Sequence, residues 1–205
     1  RVLTVLAMVL LLAGCFPSPQ SELARLRALS DTHFRNTVTV QDDALDLVAV
    51  FTTANGFQFN VKPHDGIISA DEFLRAIVNK QNGGRTFQLY STINYPFDGW
   101  RLYNAASYET PNGPRQAQVL LVNRSKDCAR ISGGGRQCFY TEEAVFAIDE
   151  SLVRALADRY GSGDPIEQSW HYKFTARSGD QFSGFVVPAE AKGLLERMQA
   201  HRLEK

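Results

Sequence analysis

The sequence is poor in sulfur and histidine and carries no surplus of charge. Its 205 residues include three Cys, two Met and four His. His33, His64, His171 and His201 stand at no metal-ligand spacing, and no H-E-x-x-H is present, which argues against a local zinc motif. Lys and Arg number 22, as do Asp and Glu. No global field therefore draws in nucleic acid, and no nucleic-acid partner is expected. There is no G-x-S-x-G elbow, no S-x-x-K and no phosphate loop ending in Gly-Lys-Ser/Thr. No cofactor, no metal and no catalytic residue is assigned on sequence. A long apolar run is also missing: VLTVLAMVLLLA, Val2 to Ala13, is shorter than the roughly 20 residues a permanent membrane helix needs.

That short run has a definite context. Arg1 precedes it, the small residues Ala13 and Gly14 close it, and FPSPQS follows. A basic start, an apolar middle and small residues before a cut are the parts of an export signal. Leu12-Ala13-Gly14-Cys15 resembles the lipobox of bacterial lipoprotein precursors. The resemblance implies that residues 1–14 are a signal peptide and that Cys15 is the lipid attachment point. Residues 15–20 then form the lipidated Cys and a short linker, and residues 21–205 a single periplasmic domain. Each buried CH₂ contributes about 0.8 kcal/mol, and several acyl chains on one residue make attachment practically permanent. In that class Asp after the Cys is the usual inner-membrane signal. Phe16 stands there, so the resemblance points to the outer membrane, with the domain facing the periplasm.

Cys128 and Cys138 remain, in the stretch DCARISGGGRQC. Gly133, Gly134 and Gly135 suit a tip between two antiparallel arms, which brings the Cα atoms within bridging range. A disulfide is expected, as an oxidising compartment favours. Closing so short a loop contributes about 2–3 kcal/mol on the chain-entropy model. Metal ligation and redox exchange are the alternatives, but no Cys-x-x-Cys and no nearby His supports them.

Strand patterns fill the middle of the chain, at 34–40, 44–54, 85–95, 100–109, 115–123, 138–148, 170–179 and 181–188. Asn55-Gly56, Pro111-Asn112-Gly113-Pro114 and Ser178-Gly179-Asp180 read as turns. Helices are expected at 22–29 behind Ser21, at 149–161 with Asp149 as a possible cap, and at 188–202 from Pro188. Ser69-Ala-Asp-Glu72 reads as a capping box, predicting a further helix over 70–83 with Phe73, Ile77 and Val78 inward. Strands joined by short turns favour an α+β class: a mainly antiparallel sheet of about six to eight strands, with three or four helices on one face or end.

Three further patterns invite chemistry. His64 to Phe73 ends like a calcium loop, yet the positions that need oxygen ligands hold Val61 and Pro63. SGGGR at 132–136 lacks the rest of a phosphate cradle and reads as a hairpin tip. Aromatics crowd residues 87–108. Alternation places Phe87, Tyr95, Trp100 and Tyr108 in the core and leaves Tyr90, Arg101 and Tyr103 as a candidate ligand or partner face. A solvated sheet face accounts for the same letters. The reading is thus an envelope lipoprotein acting as a non-catalytic binding or assembly module. Its partners are the membrane, through lipidated Cys15, and another envelope protein. The alternatives are a hydrolase of cell-wall, lipid or peptide substrates, or a carrier of a small apolar ligand.

Overall fold

The computed structural model describes residues 18–59, 69–96, 99–130 and 135–203. Within them the chain forms four helices and ten strands, an α+β arrangement. The lipobox, Cys15, His64 and the Gly133-Gly134 tip lie outside the described residues.

Helix α1 (Pro19–Arg27) starts on Ser18, whose hydroxyl accepts from Ser21 N at 3.2 Å, with Pro19 at the first position, where no donor is needed. The expected linker thus gives way to helix at Pro19. Helix α2 (Asp31–Thr37) is capped by Ser30 in the same way. Here a strand was expected over 34–40. The Ser30 cap and a bond from Thr37 Oγ1 to the His33 carbonyl at 3.0 Å hold the segment as helix, with Phe34 fully buried. Only β1 (Thr39–Gln41) is extended.

The next strands are β2 (Val48–Thr52), β3 (Ser69–Asn79), β4 (Arg85–Pro96) and β5 (Tyr103–Tyr108), followed by β6 (Arg115–Gln118), β7 (Leu120–Arg130) and β8 (Arg136–Ile148). After helix α3 (Glu150–Ala157) come β9 (Trp170–Ala176), β10 (Gln181–Val186) and helix α4 (Pro188–Ala200). One sheet has the order β1-β2-β3-β4-β8-β7 and the other β10-β9-β5-β6, and every pairing is antiparallel. The strands thus divide between two sheets of six and four, and the helices do not gather on one clear face.

The helix expected over 70–83 is instead β3. Ala70, Glu72, Leu74, Ala76 and Val78 are buried in strict alternation, and each residue from Ser69 to Val78 pairs with β4. Both faces of β3 carry apolar residues, so Phe73, Ile77 and Val78 mimic helical spacing in the sequence. In the fold, Phe73 and Ile77 lie on the face opposite Val78. Glu72, the supposed capping residue, points into the core. The strand pattern over 115–123 also breaks, at Val119, where the chain leaves the smaller sheet and enters the larger.

The inner face of the larger sheet, with Leu74, Leu89, Ile93, Tyr95 and Phe146, packs on Tyr103, Trp170, Tyr172 and Phe174 of the smaller. Phe146 meets Phe174 edge-on with ring centres 5.6 Å apart. Helix α4 closes one end through Ala191, Leu194 and Met198. A second cluster joins Leu26 and Phe34 to Val187 and Ala189. There α2 crosses α4 so closely that a Cβ on Gly193 would lie 2.6 Å from Arg35 N and 2.7 Å from Asp31 O. Gly→Ala inside a helix ordinarily stabilises by up to about 1 kcal/mol. At Gly193 backbone blocks the methyl, and Gly193→Ala is expected to destabilise by about 2–3 kcal/mol, read as a lower denaturant midpoint.

Candidate binding surface

Tyr90, Arg101 and Tyr103 do not form one outer face. Tyr90 lies on β4 of the six-stranded sheet and Tyr103 on β5 of the four-stranded one. Tyr90 is half-buried, stacks on Phe73 at 5.2 Å and accepts a hydrogen bond from Arg75 Nη1 at 2.6 Å. Arg101 and Tyr103 are buried, at 4 % and 0 % exposure. The reason is the inner face of β8. Glu142, fully buried, accepts from Leu102 N at 2.9 Å, Tyr103 N at 3.1 Å and the Tyr95 hydroxyl. The Arg101 guanidinium sits 4.5 Å from the centre of the Tyr95 ring, donates to Tyr103 Oη at 3.2 Å and faces Asp180 at 3.8 Å. Burial pushes both the Tyr95 and the Tyr103 phenols above the ordinary range. This network fixes the crossing from one sheet to the other, where Leu102 adopts φ 61°. It is turned inward, with Arg101, Tyr103 and Glu142 buried.

A second polar group is equally enclosed. Glu190, in the first turn of α4, accepts from the Thr53 hydroxyl at 2.5 Å and from Leu74 N at 3.1 Å. Burial pushes its carboxyl up to about 8, and the charges of Asp71 and Glu72 add to the effect. Burial likewise raises Asp71 to about 6. It drives the Tyr172 phenol well above the ordinary range, with the Glu72 carboxyl beside it adding to the rise. Gly184 leaves room for this approach: a Cβ there would stand 2.5 Å from Tyr172 Cζ and 3.0 Å from Glu72 Cδ. Shifted acids in a cluster resemble catalytic equipment. Yet the groove of about 620 Å³ between α3 and α4 is lined by Arg85, Arg154, Tyr160, Lys192, Leu195 and Glu196 among others, and by none of these acids. Asp71 and Glu72, the end of the calcium-like stretch, are successive strand residues on opposite faces of β3. Among the described residues no three His, Cys, Asp or Glu side chains converge as metal ligands.

The exposed chemistry lies on the β7–β8 ribbon. Cys128 and Cys138 stand opposite each other in register and form a disulfide with Cα atoms 4.0 Å apart. Strand β4 ends at Pro96, opposite Phe139, so the ribbon runs on past its neighbour as two strands. Register puts Arg124, Lys126, Cys128 and Arg130 on the same face as their partners Glu142, Tyr140, Cys138 and Arg136. Four exposed cations therefore share one face: Arg124, Lys126, Arg130 and Arg136. The Arg124 guanidinium lies over Trp100 at 5.4 Å and the Lys126 ammonium over Tyr140 at 5.1 Å. Arg27, Arg85, Arg115, Arg154 and Lys192 elsewhere all sit against carboxylates. Arg124 stands opposite Glu142 in register, but among the described residues none of these four ribbon cations makes an ion pair with a carboxylate. Arg130 and Arg136 even face each other across the ladder, a pairing that costs stability.

The disulfide and the hairpin were legible in the sequence, and the cation stripe was overlooked. Its signal was present in the spacing of Arg124, Lys126 and Arg130 two and four residues apart, which alternation places on one face. The fold defines an α+β protein of two stacked antiparallel sheets with a cystine-clamped basic ribbon. In comparison with known proteins, no family model, curated protein or solved structure matches the chain.

Proposed function

We propose that the chain is an envelope lipoprotein, held at a membrane through lipidated Cys15, whose domain is a binding or assembly module and not an enzyme. The observation that carries the binding role is the one-sided set of Arg124, Lys126, Arg130 and Arg136, exposed and, among the described residues, in no ion pair with a carboxylate. Unpaired like charges clustered on one face cost stability where they stand and are offset by an anionic partner. The Leu12-Ala13-Gly14-Cys15 resemblance supports the anchor, and the paired Cys128 and Cys138 agree with an oxidising compartment such as the periplasm. The partner is another envelope component, and Phe16 favours the outer membrane.

The anchor has a direct test. In a bacterial host fed labelled palmitate, the wild-type chain is expected to take up label and lose residues 1–14. Cys15→Ser is expected to stay unprocessed and unlabelled. Label retained in Cys15→Ser removes the anchor assignment. The module reading is tested by cross-linking in intact cells, where a discrete adduct that disappears when Lys126 and Arg130 are both changed to Glu is expected.

A further inference from the structure

The larger sheet ends on β7, a strand of eleven residues that ladders with β8 on one side and with no described strand on the other. The 4.0 Å Cα separation of Cys128 and Cys138 marks them as a narrow, non-hydrogen-bonded pair of the antiparallel ladder. Such pairs alternate along a ladder. Arg124, Lys126, Cys128 and Arg130 therefore turn their N–H and C=O groups away from β8, towards the open edge. Arg124 shows this directly, because its N–H is taken by the Asn123 side chain at 2.8 Å rather than by β8. Three of these four residues whose backbone faces the open edge, Arg124, Lys126 and Arg130, thus carry cations.

We infer that β7 receives an extended acidic segment of another protein as an added antiparallel strand, centred on Lys126 to Arg130. This rests on the module reading above and names its partner. In an added strand, residues directly opposite Lys126 and Arg130 would project on the cationic face about 5 Å away. An acid at every second position of the incoming segment meets both cations, while main-chain bonds supply the rest of the contact. The other face of β7, with Ser125, Asp127 and Ala129, demands no particular charge pattern.

The geometry of the ribbon disfavours other occupants. Two copies of β7 paired through their open edges would set cation against cation or against the cystine in each register that joins these residues. The rings on this face that could stack bases are already covered, Trp100 by Arg124 and Tyr140 by Lys126, so a single nucleic-acid strand finds no platform. Leu120, the most exposed apolar residue of β7, lies with its partner Val145 on the opposite face, away from where an anionic bilayer would meet the cations. Charged residues on an edge also serve to blunt it, and experiment separates a blunted edge from a receiving one.

The probe is a short labelled peptide alternating Glu and Thr, titrated by fluorescence anisotropy into the detergent-solubilised, lipidated protein. Saturable binding is expected, weakening as salt rises. Two changes are each expected to raise Kd at least tenfold: Lys126→Glu with Arg130→Glu, and methylation of alternate peptide N–H groups. Both substituted positions are exposed, and retention of the disulfide and of the circular-dichroism spectrum shows that the fold persists. Absence of saturable binding overturns the inference. So does binding indifferent to peptide methylation, which would mean contact by charge alone. Self-association of the chain that vanishes in the double variant also overturns it, because the edge would then be a dimer seam. These outcomes are independent of the anchor: loss of labelling at Cys15 leaves peptide binding untouched. A peptide that fails to bind while an in-cell adduct is still recovered overturns the edge and leaves the module reading standing.

Discussion

Glu142→Ala is expected to lower the unfolding free energy by about 4 kcal/mol or more, enough to consume much of the 5–15 kcal/mol on which a domain of this kind stands. The reason is the number of donors that end on one carboxyl. Leu102 N, Tyr103 N and the Tyr95 hydroxyl all donate to Glu142, which has no exposed surface. Each buried donor left without an acceptor costs about 1–3 kcal/mol. The loss has a conformational side too. Leu102 stands at φ 61°, which disfavours a side chain by roughly 1–2 kcal/mol, and the Glu142 bond to its N–H holds it there. Without that bond the crossing from β4 to β5 is free to relax, and the two sheets lose the junction that sets their stacking. Glu142→Gln keeps one oxygen for the two amides but turns an NH₂ towards donors, so an intermediate loss is expected. The measurement is equilibrium unfolding in urea at constant pH. A loss below about 1 kcal/mol for Glu142→Ala would show that water or a rearranged loop satisfies those donors.

How much of this could be read beforehand divides along physical lines. Strands with one apolar and one polar face were plain. Phe87, Leu89, Ile93 and Tyr95 alternate with polar residues, and all four are buried on β4. The β5–β6 hairpin announced itself through Pro111-Asn112-Gly113-Pro114, and Gly113 does take a positive φ. The amphipathic helix at 188–200 was equally visible. β3 was not, because both its faces carry apolar residues, and a local capping pattern then outweighed a pairing partner that a single sequence does not display. The error had a cost for the site. A helix at 70–83 would leave Glu72 at the surface, whereas the strand drives it into the core beside Tyr172. Arg101 and Tyr103 were misplaced for a related reason. Alternation within β5 gives a phase but not the neighbour, and the buried acid that draws them inward comes from β8, some forty residues on. The basic ribbon face depends on register alone, and the register is fixed by the Cys128–Cys138 pair already legible in the sequence.

The interior acids lead to the second large effect, which is one of pH. An unfolded glutamate titrates near 4.5, and burial holds Glu190 up to about 8 in the fold. Between those values the folded chain binds a proton that the unfolded chain has released. The protonated carboxyl therefore stabilises the fold fully at low pH, and that contribution is lost as pH rises from about 4.5 towards 8. The linked fall is on the order of 5 kcal/mol. Asp71, raised to about 6, has the same sign and adds a smaller fall over the lower part of this window. Glu190→Gln removes the larger part. Its amide oxygen remains an acceptor for the Thr53 hydroxyl and Leu74 N, so α4 stays tied to β2 and β3. The variant is expected to match wild type near pH 5 and to exceed it by several kcal/mol at pH 8, with a stability profile that is nearly flat above pH 6. Urea unfolding midpoints across pH 5–9 give the comparison. A wild-type midpoint that rises through this window, or a Glu190→Gln profile parallel to wild type, would mean that Glu190 is already ionised in the fold. The Thr53 hydroxyl and Leu74 N would then be stabilising a buried charge, and the end of α4 would be held by electrostatics rather than by a neutral hydrogen-bonded acid.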